Sequence, residues 1–153
     1  MKRVNIRNKE KGFTLIEIMV VVIIIGLLVS IVGVNVISRV DTAKRVAAKN
    51  QMKSLESALS LYRLDTGTYP KTEQGMKALL EKPATGDVSS AYREGGYLDA
   101  NAIPKDPWGH EYVYLSPGSE GREYEVISYG ADGEPGGEGK DADIQSWTME
   151  VEE

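Results

Sequence analysis

The chain contains no cysteine, which excludes disulfides and thiol chemistry and leaves the redox compartment unmarked. Its one histidine, His110, is a lone imidazole without a nearby Ser or Cys nucleophile, poor ground for an enzyme. A basic excess is also missing: the net charge is −5, whereas nucleic-acid binding needs a basic footprint. No ionisable residue occurs from Ile18 to Ile37, and no Pro or Gly from Ser38 to Asp65. No Ala-x-Ala-like site closes the apolar run, so a removable secretory signal fits poorly.

What is present is organised around Lys11-Gly12-Phe13-Thr14-Leu15-Ile16-Glu17, which leads straight into the apolar run. Twenty residues at about 1.5 Å each give roughly 30 Å, the hydrocarbon thickness of a bilayer, so the run is expected to span. Glu17 stands at its mouth, and an intramembrane carboxylate costs about 2.5–3.5 kcal/mol on insertion scales, so it needs a partner or a purpose. Cutting after Gly12 would put a new amino group on Phe13, four residues from Glu17 and on the same helical face. Pairing between adjacent copies would bring two costly charges together and fix axial register, which points to polymerisation. The bland alternative is an ordinary signal anchor with an incidental glutamate.

Gly-Phe-Thr-Leu-Ile-Glu followed by an apolar run resembles the class III signal of type IV pilins and type II secretion pseudopilins. The resemblance implies a leader, residues 1–12, removed by prepilin peptidase, with N-methylation at Phe13 and an assembly role for Glu17. The family's proline about ten residues beyond Glu17 is absent here, the local sequence being Gly33-Val34-Asn35. That removes the basis for expecting a proline-driven kink near Val34. Gly26 and Gly33, seven apart, either allow close approach of neighbouring helices or reflect the tolerance of membrane helices for glycine.

The charge is uneven along the chain. Residues 1–12 hold five Lys/Arg against one Glu, and residues 119–153 hold eleven Asp/Glu against two Lys/Arg. Positive residues stay cytoplasmic, so the acidic part lies across the membrane. Apolar or small residues at Val40, Ala43, Ala47, Leu55, Ala58, Leu59 and Tyr62 recur with helical spacing. With Gly67 as C-cap and Pro70 preventing restart, one helix is expected from about Phe13 to Asp65. Arg39, Lys44, Arg45, Lys49 and Lys53 form a solvated basic face, or one that meets acidic surfaces of other copies. Residues 66–108 are expected to be loop-rich, with a short helix over 73–81 ended by Pro83. Two strand-like runs, 111–115 and 123–128, flank a Pro/Gly turn and predict a β-hairpin, with the preceding loop as a third strand.

The motifs Asp65-Thr66-Gly67-Thr68-Tyr69-Pro70, Glu73-Gln74-Gly75 and Asp106-Pro107-Trp108-Gly109 are turns by physics alone. Together they resemble the major pseudopilins of type II secretion systems, so the likeness covers nearly the whole chain. It implies an α+β, type IV pilin-like fold: one long N-terminal helix on a small antiparallel β-sheet. The expected division is leader 1–12, transmembrane and assembly half 13–37, soluble half of the helix 38–66 and periplasmic lobe 67–153.

The tail from Gly130 to Ile144 has almost no apolar side chain to bury, yet Ile144 and Trp147 beyond it look like core anchors. Something must hold it closed. Asp132, Asp141 and Asp143, among glycines that free backbone carbonyls, offer the all-oxygen shell of a hard cation such as Ca²⁺, although the spacing is not that of an EF-hand. Spacing alone also allows a solvated acidic turn. The resemblance favours calcium, held by Asp132 and Asp143 plus carbonyls, with Tyr129 and Ser146 as candidates. It implies a structural subunit, with no catalytic residue, of an inner-membrane-derived periplasmic filament that drives protein export. Its partners would be itself, prepilin peptidase, minor pseudopilins, the inner-membrane assembly platform and lipid, with no nucleic acid. The alternatives are a type IV pilin for adhesion or motility and a membrane-tethered calcium-binding periplasmic domain that never polymerises.

Overall fold

The computed structural model describes residues 12–84 and 90–151, with the side chains of 30–38, 150 and 151 outside that description. The elements are one long helix, α1 (Leu15–Thr66), three short strands, β1 (Val113–Leu115), β2 (Glu125–Ser128) and β3 (Ile144–Gln145), and several 3-10 turns. The chain divides into two compact units, Met1–Arg39 and Val40–Glu153. Each has its own logic.

In the first unit α1 begins with a reciprocal cap. The Glu17 N–H donates to Thr14 Oγ1 at 3.3 Å while the Thr14 N–H donates to the Glu17 carboxylate at 3.4 Å. Thr-x-x-Glu is a capping box: each side chain satisfies a backbone N–H that the first turn leaves unpaired. The acid also complements the positive end of the helix dipole. Beyond it the apolar side chains of 15–29 are all exposed. Among the described residues no helix is long and apolar enough to cross a membrane. The described apolar side chains stop at Val29, short of the roughly 20 residues that a span requires.

The second unit owns the hydrophobic core. Ala48, Met52, Leu55, Ala58, Leu59 and Tyr62 put a buried stripe on α1, three or four residues apart, against Tyr112, Tyr114, Val126, Ile144 and Met149 of the sheet side. Gly67, at φ 87, ends the helix, its N–H donating to the Arg63 carbonyl at 2.7 Å. This is a left-handed C-cap of the kind glycine adopts without steric cost. The expected helix over 73–81 shrinks to a 3-10 turn, Met76–Leu79. Gly75, at φ 60 and ψ −171, breaks the helical path before it, while the Gln74 side chain accepts from the Lys71 N–H and closes a separate turn. Tyr62, Tyr92 and Tyr97 stack edge to face beside it with centroids 5.2–6.1 Å apart.

The sheet is antiparallel in the order β1-β2-β3, with Tyr114 opposite Val126 and Ser128 opposite Ile144. The hairpin forms as its sequence predicts, but the third strand is not the loop before it. Residues after the acidic tail pair with β2 instead, because Ile144 carries the apolar side chain that the core takes in. The loop before β1 is folded on itself around Asp106, whose N–H receives no strand partner but donates to the His110 carbonyl at 2.8 Å. The acidic tail is thus the β2–β3 connection, long for a loop without an element of its own longer than a 3-10 turn, and such loops need internal scaffolding or a function.

Candidate functional site

Two places bring together the residues singled out by sequence. The first is the entrance of α1. Gly12 and Phe13 stand exposed ahead of the helix, with Phe13 at 81%, so the bond between them is open to approach. The rest of the leader, residues 1–11, lies outside the described residues. Glu17 is exposed and its described partner is Thr14, three residues back in its own chain.

The second is the acidic loop of 129–143, and its scaffold is built from groups on three sides. At its entry Asp106, 4% exposed, collects the Ser128 hydroxyl at 2.7 Å and the N–H groups of Trp108 and His110 at 3.1 and 2.8 Å. His110 then passes the contact on, its Nδ1 lying 3.1 Å from the Gly130 carbonyl, a pairing in which the ring nitrogen donates. The same ring packs on Gly133, where an added Cβ would lie 3.0 Å from it. At the loop's middle, Gly137 leaves room for the Asp141 carbonyl, which a Cβ there would meet at 2.6 Å, and its φ of 80 suits glycine alone. From α1, Arg45 donates to the carbonyls of Ala142 at 2.7 Å and Gly139 at 3.3 Å.

Within this frame the predicted ligand residues are distributed unevenly. Asp143 accepts the Gly136 N–H on both carboxylate oxygens at 3.1 Å, and the Gly136 carbonyl receives the Asp143 N–H at 3.3 Å. Asp132 accepts the Glu134 N–H at 3.1 Å, a local Asx turn. Asp141 pairs with the Lys140 ammonium at 2.6 Å. Tyr129 is half-buried, and the Ser146 hydroxyl, in a residue 4% exposed, is turned into the sheet, accepting the Val126 N–H at 3.2 Å. What Ser146 could offer an ion is therefore its carbonyl.

Among the described residues no three acidic or histidine side chains converge as a metal-holding group. A cation here would depend on two carboxylates completed by backbone oxygens. The donor chemistry fits a hard cation: every group is oxygen, and among the described residues Asp132 and Asp143 each engage one N–H of the loop, leaving acceptor capacity. The Lys140 ammonium holds its proton more tightly than usual, through its bond to Asp141 first and then through the charges of Asp141, Asp41 and Asp132.

Several of these groups have no mark in the sequence. Arg45 belongs to a basic run indistinguishable from a solvated face, and Ser128 is one serine among many. Asp106 and His110 did carry a signal, the Asp-Pro-Trp-Gly turn, which fixes an aspartate at the start of a tight bend whose N–H groups it can cap.

Comparison with known proteins bears on the family and the fold. A family model described as the prokaryotic N-terminal methylation motif matches residues 7–33, and one described as type II secretion system protein G matches residues 35–147. A type II secretion system core protein G of Vibrio cholerae is 46% identical over 143 residues, covering 94% of this chain and 95% of that protein. One of Pseudomonas aeruginosa is 46% identical over 141 residues, covering 92% of this chain and 97% of that protein. Among solved structures, the major pseudopilin from the type 2 secretion system of enterohaemorrhagic Escherichia coli superposes with a TM-score of 0.63 at 40% identity, covering 72% of this chain and 88% of that one.

Proposed function

This chain belongs to the type II secretion system protein G family and is a structural subunit of the pseudopilus, and on that premise we propose how its two units divide the work. The first is the processing and assembly unit. Prepilin peptidase removes residues 1–12 at the Gly12–Phe13 bond, and Phe13 is N-methylated. The apolar run from Ile18 to Ile37 spans the inner membrane, with the basic leader cytoplasmic and residues 67–153 periplasmic. Glu17 pairs with the amino terminus of a neighbouring copy, and the repeated heterologous contact builds a helical filament that pushes secreted proteins outward. The chain carries no catalysis of its own. Minor pseudopilins and the inner-membrane assembly platform are the partners this role requires.

The second unit is the exposed lobe, and its acidic loop holds a Ca²⁺ ion through Asp132 and Asp143 with backbone oxygens, Tyr129 and Ser146 supplying carbonyls and Asp141 a further carboxylate. Bound there, the ion supplies the positive charge that lets three aspartates share one glycine-rich loop. The observation that carries the pseudopilus reading is the joining, on one chain, of a methylation-motif match over 7–33 to a protein G match over 35–147; what supports the calcium reading is the all-oxygen donor set of the loop.

Mass spectrometry of the chain from cells that hold the peptidase tests the processing. The expected mature protein begins at a methylated Phe13, Gly12→Ala is still cut, and Gly12→Glu is not, because a bulky charge must enter an intramembrane site. A product that begins at Met1 overturns the scheme. Whole-cell cross-linking separates polymer from tethered monomer: a ladder of oligomers is expected in the wild type and its loss in Glu17→Ala.

A further inference from the structure

Among the described residues two cations of the chain itself reach the acidic loop, and they are held differently. Arg45 grips backbone: its guanidinium bonds to the carbonyls of Gly139 and Ala142, which bracket Lys140 and Asp141. Lys140 bonds to a single carboxylate oxygen of the next residue, Asp141 Oδ1 at 2.6 Å, with its side chain 54% exposed. The opposite limb of the loop lies alongside, since the Ala131 N–H donates to the Lys140 carbonyl at 3.1 Å and Asp132 follows directly. Lys140 therefore stands where an acidic loop without a metal most needs a positive charge.

The two modes of attachment have different consequences. A guanidinium bonded to two carbonyls is fixed by the backbone and cannot leave without unmaking the loop. An exposed ammonium on one carboxylate is weakly held and moves on a flexible stem. We propose that Lys140 is a tethered competitor for the loop's cation, neutralising Asp141 and its neighbours when no metal is bound and swinging out when calcium enters, while Arg45 is the positioning residue that keeps the limb formed in both states. The inference rests on the calcium reading of the loop. It explains how a loop this acidic holds its shape before the ion arrives, and it makes the lysine the element that sets the affinity.

The test is calorimetric titration of calcium chloride into the full chain in detergent micelles, wild type beside Lys140→Met, Lys140→Arg and Arg45→Gln. Lys140→Met should bind at least about fivefold more tightly, the factor for a pair of unit charges about 4 Å apart in a bulk-water dielectric and so a lower bound for a divalent ion. Lys140→Arg should stay near the wild type, and Arg45→Gln should bind more weakly. Loss of positive charge by itself would tighten both, so the opposite signs distinguish a competitor from a scaffold. Binding by the wild type with an unchanged or weaker Lys140→Met overturns the competitor while leaving the calcium reading intact. Tighter binding by Arg45→Gln overturns its positioning role. No binding by any of the four chains removes the calcium reading and this inference with it.

Discussion

From residue 15 to residue 29 every side chain of α1 stands exposed, Leu15 at 82% and Ile23 at 66%, whereas further along the same helix Met52, Leu55 and Leu59 are at 0%. The residue types are alike, and only one stretch has something of its own chain to cover it. The core that buries Leu59 draws, among the described residues, on side chains from Ala48 to Met149, all within the second unit. The run in turn is a surface that water does not tolerate over such an area, and it calls for lipid or for copies of itself. One helix thus carries two kinds of instruction, to fold and to assemble.

The sharpest way to break this comparison is to truncate one side chain in each stretch. Leu59→Ala should lower the stability of the lobe by about 2–5 kcal/mol, because it removes buried methyl groups and leaves a cavity. Ile24→Ala should leave the same transition within about 0.5 kcal/mol, as an exposed substitution does. Chemical denaturation of the full chain in micelles measures both. Equal losses would mean that the first stretch supports the lobe.

Calcium should act on the second unit alone. With the ion at a hundredfold excess over its dissociation constant, linkage should add about 2.7 kcal/mol on the proposed calcium reading, in which only the folded chain holds a shell. Thermal melting should rise with calcium and fall with a chelator, and Asp132→Ala or Asp143→Ala should abolish the shift while leaving membrane insertion unchanged. An identical melting temperature in chelator and in millimolar calcium would leave a solvated acidic turn.

The long helix, its glycine stop and the hairpin were legible because each rests on local rules: helical spacing, a left-handed C-cap and a Pro/Gly turn between alternating strands. The third strand was misplaced because Ile144-Gln145 is too short to show a period, and the core decides which two residues will pair with Ile127 and Ser128. The Thr-x-x-Glu pattern of Thr14 and Glu17 went unread as a cap, because the cost of an acid in lipid drew the reading of Glu17 toward a partner outside the chain. The loop's frame was hidden for a different reason. Arg45 meets carbonyls 94 and 97 residues away, and backbone acceptors leave no trace in a sequence.

A pH titration reads the second unit from both ends of the scale. Glu125, 3% exposed, is held below the usual carboxylate range by the Ser119 hydroxyl first and then by Arg122 and the Ser119 N–H. Its folded pKa is depressed, so its contribution is present above the unfolded value of 4.5 and is lost as pH falls from there through the folded value. Hydrogen bonds to a charged group contribute about 1.5–3 kcal/mol, and Glu125→Gln should flatten that part of the acid limb. At the other end burial pushes Tyr114 up to about 12 from 10.0, so stability should hold below pH 10 and fall between the two values. Calorimetry across pH reads both limbs, and an acid limb unchanged in Glu125→Gln would assign it to other carboxylates.

The smallest expected effect bears on the largest question, what Glu17 is for. As a cap it exchanges bonds with Thr14, and removing a Thr cap costs about 1 kcal/mol. That loss is confined to the first turn, where it should appear as faster amide exchange at Glu17 and Ile18, with the melting of the lobe untouched. As a pairing group between copies, Glu17 needs its charge and not the threonine. Thr14→Ala should therefore fray the helix start and still give the cross-linked ladder, whereas Glu17→Ala should lose both cap and ladder. Glu17→Gln sharpens the distinction, because an amide oxygen can still accept in a capping box but carries no charge to a neighbour's amino terminus. A ladder from Glu17→Gln, or its loss in Thr14→Ala, would make the glutamate a local helix cap and move the assembly contact elsewhere on the apolar stretch.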